Sequence, residues 1–218
     1  MFLALISLSM LINDIGVSST IAADFMQKDH HIASRSKDSI QPDPGIFGIP
    51  ARGKFLIAGK KLQDPRFRET VVFLIEYSSA GAVGLIINRP TAVRLADIIK
   101  DMPAIKKRQD VVFYGGPVED NRMFLLIRST NMIDESFKVM EEVHMSTSRT
   151  ILKQMITGKL IVPFRGYAGY AGWAPGQLDA EIAHGDWYVT NADARLIFEH
   201  DPKTLWPELI RGIAAIQV

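Results

Sequence analysis

Cysteine is absent from all 218 residues, and that absence removes disulfides, thiolate nucleophiles, iron–sulfur clusters and cysteine-based zinc sites together. It assigns no compartment, because an exported protein can fold without disulfides. An excess of one charge is missing as well. The 25 Lys and Arg nearly cancel the 24 Asp and Glu, for a formal net charge of +1, so no global field favours nucleic acid or an anionic membrane. The one basic cluster, Lys106-Lys107-Arg108, is short and has no interleaved aromatics, and it reads as a solvated loop or helix end.

The familiar catalytic and metal-binding patterns are also missing. The histidines at 30, 31, 144, 184 and 200 form no H-x-x-x-H or H-E-x-x-H, so no metal site is expected. His184 reads as a structural group in the last turn of a helix, where positive charge suits the dipole. No G-x-S-x-G elbow supports a hydrolase triad. Ser34 and Lys37 have S-x-x-K spacing, but the partner motifs S-D-N and K-T-G are absent. Neither a Walker A loop nor G-x-G-x-x-G occurs. The residues themselves therefore designate no catalytic group and no cofactor.

What is present begins with an atypical amino terminus. Phe2 to Ile12 is an apolar run too short to span a bilayer, and Thr20-Ile21-Ala22-Ala23 supplies the small residues of a cleavage site. Residues 1–23 thus have the outline of a signal peptide, although no Lys or Arg precedes the apolar run. Residues 24–52, polar and punctuated by Gln41-Pro42-Asp43-Pro44-Gly45, read as a flexible linker. Removal of the first segment would leave an exported, periplasmic protein with no transmembrane span in the mature chain.

From Gly53 the texture changes. With 47% hydrophobic and 22% charged residues, the chain has the apolar mass for one sizeable core. FLIAG (55–59), TVVFLIEY (70–77) and AVGLIINR (82–89) read as strands, the last two forming a hairpin about Ser78-Ser79-Ala80-Gly81. Their continuous apolar runs require cover on both faces. Thr91 is positioned to cap a helix carrying Leu95, Ile98, Ile99 and Met102. VVFYGG (111–116) and RMFLLIRS (122–129) suggest a second strand pair, with a further strand through FKV or VHM. Ser146 or Thr147 would cap a helix whose Ile151, Leu152, Met155 and Ile156 share a face, with Gly158 just beyond its end. GYAGYAGW reads as a strand, followed by a helix from Pro175 to His184 stopped by Gly185, the strand WYVT, and a last helix opened by Asp201-Pro202. Strands and helices interleave without a strict βαβ rhythm, so the expected fold class is a mixed sheet in one α+β or α/β domain.

Four stretches, in order, carry more information than any one alone: LQDPRF (62–67), GAVGLIINRP (81–90), YGGPV (114–118) and GYAGWAPGQLDAE (169–181). Together they resemble the AlgH/YqgE family, also termed UPF0301, from about Gly53 to the carboxyl terminus. The resemblance implies a compact domain, 53–218, with a mixed, largely antiparallel, barrel-like sheet flanked by helices. It brings no agreed biochemical activity, and it makes the cytoplasm the usual compartment, the alternative to export. One member is named as a regulator of alginate production, but no helix-turn-helix or basic recognition helix is evident here.

Within these motifs several residues are candidates for binding a ligand. Asn88 and Arg89 end a strand before Pro90; Asn88 can bond neighbouring backbone, and Arg89 can grip a carboxylate of the protein or of a ligand. Gly115 and Gly116 expose backbone N–H groups, although a turn between core strands accounts for them equally. In the Pro175 helix, Gln177 and Glu181 form an i,i+4 pair that can flank Trp173, with Trp187 nearby. Asp179 and Glu181, two residues apart, diverge by roughly 200° and are not placed for paired acid–base work. The leading expectation is a non-enzymatic protein that binds a small ligand or a protein partner, in a regulatory role. One alternative is a hydrolase or transferase with a Gly-lined pocket near Asn88, Arg89 and Glu181; another is a transcriptional regulator, with nucleic acid the disfavoured partner.

Overall fold

A computed structural model describes residues 48–216. The signal-peptide reading of 1–23, and the linker reading as far as residue 47, lie outside the described residues. Among those described, no helix is long and apolar enough to cross a membrane.

Ten strands form one curled sheet. They are β1 (Lys54–Ala58), β2 (Val71–Ser78), β3 (Gly81–Ile86), β4 (Pro90–Arg94), β5 (Val111–Tyr114), β6 (Val118–Arg128), β7 (Phe137–Met140), β8 (Val143–Ser146), β9 (Phe164–Trp173) and β10 (Trp187–Asn191). The main path runs β10-β1-β2-β3-β9-β6-β8-β7, with β5 beside β9 and β4 beside β5. Every pairing is antiparallel except β5 with β9. The helices are α1 (Leu95–Ile98), α2 (Arg149–Ile156), α3 (Gln177–His184), α4 (Ala194–Phe198) and α5 (Pro202–Ile216). The class is mixed α+β with a half-barrel sheet, as the residues and the resemblance implied.

Alternation along the strands explains why their apolar runs are unbroken. On β2, Val71, Phe73 and Ile75 enter the concave core, whereas Val72 and Leu74 enter a second core on the opposite face. On β6, Phe124 and Leu126 point to the concave side, while Leu125 and Ile127 meet a third cluster beneath α1 and α2. The concave core is closed by Ala194 and Ile197 of α4 and Leu205 of α5. A strand covered on both faces has no use for an alternating polar residue, so period two is invisible in its composition.

Four local expectations need correction. Thr91 caps no helix: its hydroxyl donates to the Val112 carbonyl (2.7 Å), because residues 90–94 pair with β5, and the helix shrinks to Leu95–Ile98 behind Arg94. Tertiary pairing overrides the amphipathic spacing here. VVFYGG and RMFLLIRS do not pair with each other, since β9 lies between them, parallel to β5 and antiparallel to β6. The cap of α2 is Ser148, which accepts from the Thr150 and Ile151 N–H groups; Ser146 ends β8 and its hydroxyl donates to the Glu135 carbonyl. FKV and VHM are both strands, the hairpin β7–β8. Pro175 and Gly176 form the turn before α3, with Gly176 at φ 73°, so that helix starts two residues later than expected.

His144 on β8 is fully buried, with Ser136 Oγ 3.4 Å from its Nδ1. Burial holds the imidazole pKa below its ordinary value; the Ser129 backbone opposes the shift and the Lys138 ammonium adds to it. A base whose folded pKa is depressed binds fewer protons folded than unfolded, so its contribution is complete above about pH 6.5 and is lost as pH falls below that value. Chemical denaturation between pH 7.5 and 5 is expected to show stability falling with pH. That slope should be shallower in His144→Gln; an unchanged slope would remove His144 as its source.

Candidate functional site

The segment between β1 and β2 carries LQDPRF and crosses the outer face of the sheet. Asp64 organises it. Its carboxylate accepts from the Arg66 backbone N–H (2.9 Å) and takes a two-point ion pair from the Arg66 side chain (Nη2–Oδ2 2.7 Å), while its carbonyl accepts from the Phe67 and Arg68 N–H groups. The Arg66 guanidinium holds the Asp64 carboxyl below its ordinary pKa. The buried Thr70 hydroxyl then donates to the Phe67 carbonyl (2.7 Å), turning the chain into β2.

Asn88 and Arg89, just beyond β3, fasten this loop. Asn88 Oδ1 accepts from the Val71 N–H (2.8 Å) and its Nδ2 donates to the Glu69 carbonyl (3.0 Å). Arg89 Nη1 donates to the Arg66 carbonyl (2.6 Å), and Nη2 donates to those of Arg68 (2.8 Å) and Pro65 (3.3 Å). Backbone groups that a loop cannot pair internally must find side-chain partners or water, and a guanidinium presents a rigid fork of donors for that purpose. The loop motif and the strand-end motif are therefore two halves of one clamp.

A second knot forms around Glu181 on α3. Its Oε2 accepts from the indole Nε1 of both Trp173 and Trp187, each at 2.8 Å, and its Oε1 accepts from Gln177 Nε2 at 2.8 Å. Gln177 Oε1 in turn accepts from the Ala174 N–H (3.0 Å), closing the corner between β9 and α3. Phe67 from the loop completes the aromatic group. Ring centroids are 5.9 Å apart for Trp173–Trp187, 5.9 Å for Phe67–Trp187 and 6.3 Å for Phe67–Trp173. At these separations the rings touch one another, so the three aromatics are packing and leave no cage for a cation. Asp179 faces away and accepts from the Tyr77 hydroxyl.

Gly115 and Gly116 sit where β3, β5 and β9 meet. The Gly115 N–H donates to the Ala168 carbonyl and its own carbonyl accepts from the Ile86 N–H, both at 2.8 Å. A side chain is excluded on each: a Cβ on Gly115 would lie 2.2 Å from the Gly169 carbonyl oxygen, and one on Gly116 2.2 Å from the Tyr170 carbonyl carbon. The space over the two glycines is filled by the β9 backbone at Gly169 (φ 70°) and Tyr170.

The four motifs thus converge on one face, but their polar groups are largely turned inward. Asn88 and Arg89 meet the loop backbone, whereas Trp173, Gln177 and Glu181 meet one another; neither Asn88 nor Arg89 shares a hydrogen bond with Glu181. Phe67 bridges the two sets. Phe67 and Tyr114 belong to this face and were not singled out from sequence, although the spacing of the motifs that contain them was the available signal. Of the basic cluster, Arg108 pairs with Asp110 and lies over the Phe164 ring at 5.0 Å.

The architecture is that of a mixed-sheet α+β domain with a loop clamped across its outer face. A family model described as AlgH-like matches residues 55–215. A UPF0301 protein of Methylococcus capsulatus is 37% identical over 156 residues, spanning 70% of this chain and 83% of the relative. One of Nitrosococcus oceani is 36% identical over 171 residues, spanning 77% and 91%. The solution structure of the AlgH protein from Pseudomonas aeruginosa superposes with a TM-score of 0.64 at 30% identity, covering 83% of this chain and 94% of that one. A crystal structure from Corynebacterium diphtheriae gives a TM-score of 0.66 at 21% identity, covering 79% and 94%, which is a likeness of fold. The chain belongs to the AlgH-like family, UPF0301.

Two substitutions separate the knots. Arg89→Met removes donors from three carbonyls and is expected to cost about 2 kcal/mol, with amide exchange rising across 65–70 before the rest of the sheet; uniform exchange would contradict the clamp. Glu181→Gln places an amide N–H₂ among three donors and should cost about 1–2 kcal/mol, with a shift in tryptophan emission. An unchanged emission spectrum would show that the indoles do not depend on that carboxylate.

Proposed function

We propose that this protein is a non-enzymatic binding module whose recognition surface is the clamped loop 62–70 together with the adjoining ends of β3 and β5. One observation carries the reading: the motif residues capable of chemistry spend their hydrogen bonds on fixing the loop and its aromatic floor. A nucleophile needs a base within hydrogen-bond reach, and Asn88, Arg89 and Glu181 share no such bond, which speaks against the hydrolase or transferase reading. Rigid scaffolding beneath a surface loop is the arrangement from which binding sites are commonly built.

The loop offers exposed polar groups to a ligand, among them the side chains of Arg66 and Arg68. Their carbonyls belong to the clamp, and the Arg66 guanidinium also holds Asp64, whereas the Arg68 guanidinium takes no part in the support, so recognition can vary at Arg68 without loosening it. A small ligand is the favoured occupant, and regulation would follow from coupling its binding to a partner. Because Arg108 is already paired, Lys106-Lys107-Arg108 offers a weakened nucleus for nucleic acid, and the transcriptional-regulator reading stands behind the binding one.

Thermal shift against metabolite and peptide panels tests this. A true ligand at a hundredfold its Kd should raise Tm by roughly 5–10 °C on the wild type and much less on Arg68→Ala, which keeps both the Asp64–Arg66 pair and the Arg89 clamp. Panels that move neither protein, or move both equally, would overturn the assignment of this surface.

A further inference from the structure

Among the described residues, the clamped face holds a hydroxyl with no internal partner. Tyr114 ends β5, is half-buried against the outer core cluster that Phe67 also packs on, and its N–H donates to the Arg89 carbonyl at 2.8 Å. Among the described residues its hydroxyl makes no hydrogen bond. Arg89 beside it has three donors on loop carbonyls, yet no carboxylate among the described residues pairs with it. A guanidinium has five N–H groups, so donor capacity remains after the clamp is made.

We propose that Tyr114 and Arg89 form an oxyanion-binding site, taking the carboxylate or phosphate group of a small ligand; this rests on the binding-module reading above and names its ligand chemistry. Both side chains carry donors, and a phenol O–H on the residue whose backbone bonds that of a cation without a carboxylate partner suits a negatively charged oxygen. Arg66 and Arg89 act on the phenol from one sign, Asp120 and Asp64 from the other. Asp64 is already neutralised by its two-point pair with Arg66, and Asp120 is exposed, where water screens it. Burial, the largest influence on the phenol, holds its pKa above the ordinary value against the two arginines, which keeps the hydroxyl protonated and therefore a donor. The clamp gives the site its preorganisation: Arg89 cannot swing away without releasing the loop.

The test uses the full chain and simple anions as probes. Sodium phosphate and sodium acetate are titrated separately, with sodium chloride at matched ionic strength as the reference, while amide resonances are followed by NMR. Saturable shifts are expected at Tyr114, Gly115 and residues 66–69 with at least one oxyanion and not with chloride. Whichever anion binds more tightly identifies the source as phosphate or carboxylate. Tyr114→Phe retains the ring that packs and removes only the hydroxyl, so it should keep the fold and weaken binding about five- to tenfold; Arg89→Lys, with charge but no fork, should weaken it as well.

Shifts identical to those with chloride, shifts confined to another face, or wild-type affinity in Tyr114→Phe would each overturn the proposal. If the oxyanions fail while a panel compound moves the same amides, the oxyanion assignment falls and the binding surface stands. If nothing perturbs this face, both fall.

Discussion

Three backbone carbonyls of one loop converge on a single guanidinium, and the outer face of the domain depends on that convergence. A loop crossing a sheet must find partners for polar groups that no strand ladder supplies. Arg89 and Asn88 supply them from the end of β3, and in doing so they press Phe67 onto Trp173 and Trp187. Without that pressure the indoles would lose a neighbour, and the carboxylate of Glu181 would face a more open environment. Packing and polar pairing are here one device: the aromatic floor is covered because the loop is tied, and the loop is tied by charge-assisted bonds from one guanidinium.

How far this was legible in sequence varied with the range of the interaction. Helical spacing placed Gln177 one turn before Glu181 and pointed both at Trp173, because an i,i+4 relation is fixed by helix geometry. The hairpin across Ser78 to Gly81 and the stop at Gly185 were equally local. Whether Arg89 would meet a carboxylate or loop carbonyls was not local: the residues it binds lie more than twenty positions away along the chain, and no pattern near Arg89 names them. Gly115 and Gly116 posed the same problem. Two consecutive glycines are as suited to cradling an anion as to admitting a neighbouring strand, and only the position of Gly169 distinguishes the cases.

The misjudged strand partners share a cause. VVFYGG and RMFLLIRS are adjacent in sequence and look like a hairpin, but β9 contains enough small residues to slide between them. Gly166, Ala168 and Ala171 present little bulk, and that allows β9 to be flanked on one side by β6 and on the other by β5 and β3 in turn. The Thr91 helix failed for a related reason. Residues 90–94 were needed to cover the edge of β5, and an amphipathic spacing of modest length yields to a strand partner when one is available.

That interleaving governs the order in which the domain can be assembled. The register couples Lys54 to Asn191 and Ala82 to Trp173, so pairings at the centre and at one edge of the sheet join segments made far apart in time. A nascent chain released as far as β8 would hold strands β3, β5 and β6 with their inner edges vacant. High contact order of this kind slows folding and leaves apolar edges open to other chains. The Gly-Tyr-Ala strand is therefore a keystone in time as well as in space: until it leaves the ribosome, the half-barrel has no middle.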